Sequence, residues 1–352
     1  MNSPDADSKV IVLPLAVATR SSLEVVLEPI RALLDDPQVR ELCINRPGEL
    51  FLERAQGWVR QDFLAGTFEW GLRFAKLVAN ASRQRVDETS PLLSASLPSG
   101  ERVQLAIPPV TPQRTVAISI RRPSSELWSL EQLAARGIFR RTRLAGAEGG
   151  DHEEQLSGSL RRGDFETFMR EAVRARQNII VSGPTGSGKT TWTKALIQEI
   201  APCERLITIE DAPELILSRH PNHVRLFYSK DDQGRAQVTP KQLLEACLRM
   251  KPDRILLAEL RSEEAFDYLR NANSGHPGSI TSVHASSAEL AFEQLTLLVK
   301  ESPGGRELSR RDIKHLLHHL IDIVIQFGIE GHERVIKEIW YAPERRAARL
   351  RA

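Results

Sequence analysis

The stretch Gly183-Pro184-Thr185-Gly186-Ser187-Gly188-Lys189-Thr190 matches the pattern G-x-x-x-x-G-K-[ST] at every fixed position. An apolar run at 178–182 precedes it and is typical of a buried strand, and residues 191–200 follow with the apolar spacing of a helix. A strand, a glycine loop and a helix in this order favour a backbone whose N–H groups point at phosphate oxygens. The positive N-terminal end of the helix adds to that attraction. The sequence therefore predicts a nucleotide phosphate site rather than an ordinary glycine-rich turn.

Individual residues of this loop have predicted tasks. Lys189 is expected to reach the β- and γ-phosphates of ATP, and the Thr190 hydroxyl is expected to ligate Mg²⁺. The predicted nucleotide-binding residues are Gly183, Pro184, Thr185, Gly186, Ser187, Gly188, Lys189, Thr190 and Thr191.

Composition sets broad limits on the class of protein. A chain of 352 residues indicates about two domains at roughly 150 residues each. With 48 basic and 46 acidic residues the net charge is +2, so direct nucleic-acid binding is not indicated. Cys43, Cys203 and Cys247 lie far apart and have no metal or redox spacing, which favours a reduced cytosolic protein.

The first residues imitate a secretory signal. Residues 10–18 are apolar, but Asp5 and Asp7 precede them with only Lys9 in compensation, which is the wrong flank for a signal peptide. No apolar run approaches the ~18 residues of a membrane-spanning helix. We interpret 1–21 as a poorly ordered start or an edge strand.

The region 22–136 has the pattern of an α+β domain. Helical spacing is found at 23–35 and 68–81, and short strands are predicted at 42–45, 50–53, 93–97, 102–107 and 116–121. Residues 137–163 are rich in glycine and charge and are predicted to be a linker. Such a long connection lets two domains move or exchange neighbours.

From 164 to 352 strands alternate with helices, which predicts a largely parallel sheet covered on both faces. Strands are predicted at 178–182, 205–210, 254–260 and 279–284, with a closing hairpin at 321–327 and 333–341 that turns near Gly328. Thr239, Pro240 and Gln242 have the pattern of a helix start with a capping box, and Ser286 with Glu289 predicts another.

Polar residues end several of these strands. Glu259 is placed to hold Mg²⁺ or its water and to orient the attacking water. Glu210 ends a similar strand, where by itself a solvated acidic loop is the alternative. His284 can sense a γ-phosphate by hydrogen bonding, or it can be a core histidine bonded to backbone. His315, His318 and His319 have helical spacing, and we interpret them as a solvated helix face rather than a metal site.

Taken together, these motifs resemble a known family, the traffic ATPases of bacterial type IV secretion systems, kin to type II secretion and pilus-retraction ATPases. The resemblance spans roughly residues 22–345. It rests on the glycine loop, Thr208-Ile209-Glu210-Asp211, Leu257-Ala258-Glu259-Leu260-Arg261, Gly275-His276-Pro277-Gly278 with His284, Asn45-Arg46-Pro47-Gly48-Glu49, Pro98-Ser99-Gly100-Glu101-Arg102 and Arg249-Met250-Lys251-Pro252-Asp253-Arg254. The cysteine tetrad of the zinc-binding type II relatives is absent from the sequence, which disfavours that subfamily.

The resemblance implies a fold and an assembly. The fold is α/β, a RecA-like P-loop ATPase domain preceded by a smaller α+β N-terminal domain and joined to it by a long linker. The assembly is a homohexameric ring of two tiers, with ATP between the domains of a protomer and near its neighbour. The implied protein is cytoplasmic and attached peripherally to the inner membrane, where it works with the channel and coupling components. It powers substrate translocation or pilus assembly.

The resemblance also implies roles for residues. Glu210 and Glu259 carry the metal and water roles together with Thr190, and His284 becomes a functional residue. Arg102 and Arg121 match N-terminal-domain arginines that reach the nucleotide phosphates. The predicted catalytic set is Glu259, Glu210, Lys189, Arg102, Arg121 and His284, with ATP and Mg²⁺ as cofactors. Which of the two glutamates is the general base stays open, as does the transported substrate, DNA or protein.

Two other functions remain as alternatives. One is a motor of type II secretion or of a type IV pilus. The other is a nucleotide-gated structural adaptor with little turnover, against which the intact Lys189, Thr190 and Glu259 count.

Overall fold

The computed structural model describes residues 20–123, 129–140, 142, 151–229, 236–262, 264–272 and 275–341. The predicted segment 1–21 therefore lies almost wholly outside the described residues. The helices are α1 (Ser22–Asp35), α2 (Phe68–Ala81), α3 (Leu130–Ala135), α4 (Asp151–Arg161), α5 (Phe165–Arg174), α6 (Lys189–Gln198), α7 (Pro240–Cys247), α8 (Glu264–Ala272), α9 (Ala288–Glu301) and α10 (Arg310–Leu320). The strands are β1 (Glu41–Ile44), β2 (Gly48–Arg54), β3 (Gly57–Phe63), β4 (Leu92–Ser96), β5 (Arg102–Ala106), β6 (Ala117–Arg121), β7 (Ile179–Ser182), β8 (Leu206–Glu210), β9 (His223–Phe227), β10 (Arg254–Leu257), β11 (Ile280–Val283), β12 (Ile323–Glu330) and β13 (Glu333–Tyr341).

The N-terminal part is an antiparallel sheet in the order β3-β2-β1-β6-β5-β4, packed against α1 and α2. A capping box of Ser21 and Glu24 starts α1, and its buried Leu27 and Ile30 share a core with Phe74 of α2. The predicted bounds of α2 match the structure. Strand β3 was not predicted, because most of its side chains are exposed and its sequence lacks apolar alternation.

The C-terminal part contains parallel strands in the orders β10-β8-β9 and β11-β7-β12, with β13 antiparallel at the edge. The amide of Leu260 donates to the carbonyl of Ser282 at 2.9 Å, and the Ser279 hydroxyl donates to the carbonyl of Ile255 at 2.8 Å. Strand β10 therefore adjoins β11, and the two sets form one layer. The carboxyl ends of its parallel strands meet at one edge.

Apolar cores cover both faces of this layer. Ile180 of β7 belongs to a core with α7, α8, α9 and α10, whereas its neighbours Ile179 and Val181 belong to a core with Phe168 of α5 and Leu196 of α6. Successive residues of a strand point to opposite faces, so both faces of β7 are buried. The predicted sheet with helices on both sides is what the structure has.

Part of the predicted linker is helical. Helix α4 lies within 137–163 and packs on α5 through the buried Leu156. The Gln155 side chain donates to Glu171 at 2.7 Å. Most residues of α4 are polar, and only one narrow face of the helix is buried. Its sequence therefore predicted a linker rather than a helix.

Other local predictions shift by a few residues. The N-cap of α9 is Ser287 rather than Ser286, because its hydroxyl accepts the amide of Leu290. The closing hairpin turns at Gly331, which has a φ of +60°, rather than at Gly328. Strand β12 continues to Glu330, and the register shift between Gln326 and Phe327 leaves Lys337 of β13 without a register partner.

A buried polar network joins the N-terminal sheet to the C-terminal part. Arg205 is wholly buried, and its guanidinium donates to Asn45 Oδ1 at 2.8 Å and to the Met250 carbonyl at 2.9 Å. It also contacts Asn222 and Ser119.

No helix among the described residues has the length and apolar character needed to cross a membrane.

Candidate active site at the phosphate-binding loop

The glycine loop leaves β7 at Gly183 and enters α6 at Lys189. A Cβ at Gly183 would lie 2.8 Å from Cβ of Phe327, so a larger residue does not fit there. Gly188 caps α6 with a φ of +99°, a left-handed conformation that glycine adopts without strain. The exposed Thr190 and Thr191 form the first turn of the helix at the mouth of the loop. The loop therefore has the shape that its sequence predicted.

Lys189 is buried and points back over the loop. Its ammonium group donates to the carbonyls of Gly183 at 2.7 Å and Pro184 at 3.0 Å, and it lies 3.3 Å from Nδ1 of His284. An ammonium group can only donate, so Nδ1 of His284 accepts and the imidazole proton is on Nε2. Burial lowers the pKa of Lys189. The cation thus stands where phosphate oxygens can replace its carbonyl partners.

Glu259 completes this cluster. Its Oε1 lies 2.6 Å from Nε2 of His284, and its Oε2 contacts the guanidinium of Arg261. The contact with His284 is off the hydrogen-bonding direction, so the buried Oε1 has no hydrogen-bond donor. Burial raises the pKa of Glu259 to about 7, against the opposing effect of Lys189. Burial, with Lys189 and Arg261 nearby, lowers the pKa of His284, which keeps the imidazole neutral.

Glu210 lies at the end of β8 and is fully buried. Arg225 binds it in a bidentate manner at 3.0 and 2.9 Å, and the Thr208 hydroxyl donates to Oε1 at 2.7 Å. The amides of Glu214 and Leu215 donate to Oε2 at 2.9 and 2.8 Å. Both oxygens are therefore bonded within the protein, and the carboxylate fixes the segment that follows β8.

Two arginines at this edge were given no role by the sequence. Arg225 on β9 is the register partner of Thr208 on β8, which places it beside Glu210. Arg261 joins Glu259 to Asp211, whose Oδ2 lies 3.2 Å from Nη1. The alternation of polar and apolar residues from His223 to Leu226 could have indicated strand β9, but no spacing along the chain shows which carboxylate Arg225 meets.

Arg102 and Arg121 lie elsewhere in this chain. They are register partners on β5 and β6, and Nε of Arg121 is 2.9 Å from Oε2 of Glu41. Arg121 lines a cavity of about 800 Å³ that no residue of the glycine loop lines. Its charged lining residues are Arg40, Glu41, Glu53, Arg54, Arg121, Arg122, Arg136 and Lys251. Lys251 precedes the amino end of β10, whereas the glycine loop follows the carboxyl end of β7. The structure therefore brings Lys189, His284 and Glu259 together but leaves both arginines away from the loop of the same chain.

Of the three histidines on α10, His318 packs against aromatic residues, whereas His315 is exposed. His318 stacks on Phe292 with ring centroids 4.2 Å apart and lies 5.5 Å from the Trp340 ring. Within the described ranges, no group of His, Cys, Asp and Glu side chains is arranged to hold a metal ion.

The fold and loop define a RecA-like P-loop ATPase with an additional N-terminal domain. The model of the type II/IV secretion system protein family matches residues 24–326. The chain is 48% identical over 331 residues to the type IV secretion system protein VirB11 of Bartonella quintana, covering 90% of this chain and 92% of that protein. It is 45% identical over 338 residues to VirB11 of Brucella suis biovar 1, covering 95% and 94%.

A solved structure gives the same result. The crystal structure of the VirB11 ATPase from the Brucella suis type IV secretion system, in complex with sulphate, superposes with a TM-score of 0.88 at 44% identity, covering 93% of this chain and 96% of that one. The chain belongs to the type II/IV secretion family, as a type IV secretion traffic ATPase. The predicted family, fold class and ATP-hydrolysing activity are confirmed.

Proposed function

We propose that this ATPase works as a homohexameric, Mg²⁺-dependent motor at the inner-membrane channel of a type IV secretion system. The observation that carries the proposal is the cluster of Lys189, His284 and Glu259 at the carboxyl edge of the parallel strands. Like its relatives, it would power substrate translocation or pilus assembly, from the cytoplasmic side where ATP is available. Peripheral attachment and contact with the channel and coupling components belong to the same proposal.

We assign the general base to Glu259. Its Oε1 is buried without a hydrogen-bond donor, and a carboxylate so placed accepts a proton from water. Lys189 would exchange its loop carbonyls for the β- and γ-phosphates, and the Nε2 proton of His284 would then face the reacting side of the site. Glu210 has no free oxygen, so we assign it to positioning the Asp211 segment.

The donors present suit Mg²⁺. The exposed Thr190 hydroxyl is a hard oxygen ligand of the kind that Mg²⁺ prefers beside nucleotide phosphates, and Glu259 would act on the ion through a bound water. The ion would neutralise charge that develops between the β- and γ-phosphates. Glu210, predicted as a third ligand, would act only through its neighbours.

The cavity that Arg121 lines supports the proposal of a ring-shaped assembly. Arg102 and Arg121 stand directly opposite each other on adjacent strands, and Glu41 offsets only one of these two like charges, so the pair favours a further anion. Most charged residues of the cavity are cationic, and the phosphate loop of the same chain is not part of it. We propose that the triphosphate of a neighbouring protomer is that anion. A head-to-tail contact repeated in this way forms a ring when the rotation between neighbours closes.

Mixing two inactive variants tests this arrangement. Lys189→Ala removes the phosphate-binding cation, and Arg121→Ala removes the trans-acting guanidinium. If the arginine acts on a neighbour, a mixture of the two recovers ATP turnover, because some sites combine an intact Lys189 with an intact Arg121. If it acts within its own chain, no site in the mixture is complete and turnover stays at the level of the single variants.

Light scattering with a non-hydrolysable ATP analogue should also give the mass of six copies, and a stable monomer would contradict the ring.

A further inference from the structure

The hairpin of β12 and β13 lies against the phosphate loop. Nε of Arg334 donates to the carbonyl of Gly186 at 3.1 Å. A Cβ at Gly188 would lie 3.3 Å from Cδ of Arg334, so the aliphatic part of this side chain crosses the loop beside Gly188. On β12, Phe327 packs near Trp192 of α6, with ring centroids 5.9 Å apart. The hairpin therefore holds a cation at the rim of the loop.

The charge of Arg334 is available to a ligand. The side chain is exposed, and no ion pair among the described residues joins it to a carboxylate. Lys337 on the same strand differs, since its ammonium lies 3.3 Å from Oε1 of Glu330. A guanidinium that donates only to a backbone carbonyl retains donors and charge for phosphate oxygens.

The order of the strands fixes which end of the nucleotide Arg334 faces. Strand β7 lies between β11 and β12. His284 follows β11, and with Glu259 and Lys189 it marks the side of the γ-phosphate. Arg334 approaches the loop from the β12 side. Because Lys189 is assigned to the β- and γ-phosphates, the phosphate that remains for Arg334 is the α-phosphate, beside the first turn of α6.

We propose that Arg334 binds the α-phosphate of the nucleotide, and that the β12–β13 hairpin forms the wall of the site opposite the γ-phosphate. This rests on the nucleotide site assigned to the glycine loop. On binding, the guanidinium turns from the Gly186 carbonyl to the phosphate oxygens. ATP and ADP both carry an α-phosphate, so Arg334 contributes equally to the affinity for each, unlike the groups around the γ-phosphate.

Arg334→Gln is the informative variant, because glutamine keeps a donor for the Gly186 carbonyl and removes the charge. Calorimetric titration of the nucleotide-free protein should show ADP and ATP binding weakened by a similar factor, about tenfold or more for one lost charge-assisted contact. The loss should shrink as salt is raised. Arg334→Lys should recover part of the affinity, and Lys337→Gln on the same strand is the matched control.

Several results would overturn the inference. One is unchanged ADP affinity in Arg334→Gln, and another is a loss confined to ATP, which would put the guanidinium at the γ-phosphate. An equal loss in Lys337→Gln would mean a general effect of surface charge. A loss that comes with a lower melting temperature and is not reversed by Arg334→Lys would mean that the side chain only braces the loop. Failure of the unaltered protein to bind either nucleotide would instead contradict the site itself.

Discussion

Nε2 of His284 lies 2.6 Å from Oε1 of Glu259, and Nδ1 of the same ring lies 3.3 Å from the ammonium group of Lys189. One imidazole thus touches both the phosphate-binding cation and the carboxylate assigned to activate water. A γ-phosphate oxygen only accepts hydrogen bonds. If it replaces Lys189 at Nδ1, the imidazole proton moves to Nδ1, and Nε2 becomes an acceptor towards Glu259. We propose that the histidine reports the γ-phosphate to Glu259 in this way.

Glu259→Gln should retain ATP binding and lose turnover. The amide keeps the shape of the side chain but cannot accept a proton, and general base catalysis contributes about 10²–10⁴-fold. Binding titrations beside steady-state hydrolysis measure the two effects. Glu210→Gln is the comparison. Unchanged turnover in Glu259→Gln with an inactive Glu210→Gln would transfer the base to Glu210.

The activity should depend on pH through the same carboxyl group. Burial raises the pKa of Glu259 to about 7, and a general base works only when deprotonated. The apparent kcat/KM should therefore fall as pH drops below about 7 and level off above it. A profile of kcat/KM against pH, at fixed ionic strength, measures this. A flat profile across that range would contradict Glu259 as the base in its buried state.

His284→Ala should slow hydrolysis and reduce the preference for ATP over ADP. The ring contacts Lys189 and Glu259, so its loss affects the γ-phosphate side of the loop. The ratio of ATP to ADP affinity is the measurement, and His315→Ala on α10 is the control histidine. Equal affinity losses for both nucleotides would show that His284 only supports the fold.

Arg205→Met should destabilise the protein and leave the loop chemistry intact. The wholly buried guanidinium supplies donors to Asn45 and to the Met250 carbonyl, and each buried acceptor left without a donor costs about 1–3 kcal/mol. Urea unfolding measures the change in the free energy of unfolding. Arg219→Met, at an exposed arginine, should have little effect. A stability equal to that of the unaltered protein would mean that the network contributes nothing net.

The sequence predicted elements that neighbouring residues specify, but it did not predict contacts between side chains far apart in the chain. The glycine loop and α2 were predictable because neighbouring residues specify them: a strand, glycines and a helix in one case, and helical spacing in the other. The edge at which Glu259 and His284 meet followed from the rule that parallel strands end together. The partners of individual side chains could not be predicted from such rules. Arg334 reaches the loop across 148 residues of chain, and only the hairpin register brings it there.

The position of Arg102 and Arg121 shows the same limit. Their motif matches arginines that reach nucleotide phosphates. It does not indicate whether those phosphates are bound by the same chain or by a neighbouring copy. Strand pairing puts Arg121 beside Glu41 and Arg102 on the next strand, away from the glycine loop of their own chain. We therefore propose that they act on the nucleotide of a second copy.

Steady-state ATP hydrolysis by Lys189→Ala, with Lys194→Ala on the same helix as the control, tests whether turnover takes place at the glycine loop. We expect Lys189→Ala to lose nearly all turnover, because it removes the cation over the β- and γ-phosphates, while Lys194→Ala stays close to the unaltered protein. Substantial turnover by a folded Lys189→Ala protein would contradict the claim that the cluster of Lys189, His284 and Glu259 is where this chain hydrolyses ATP.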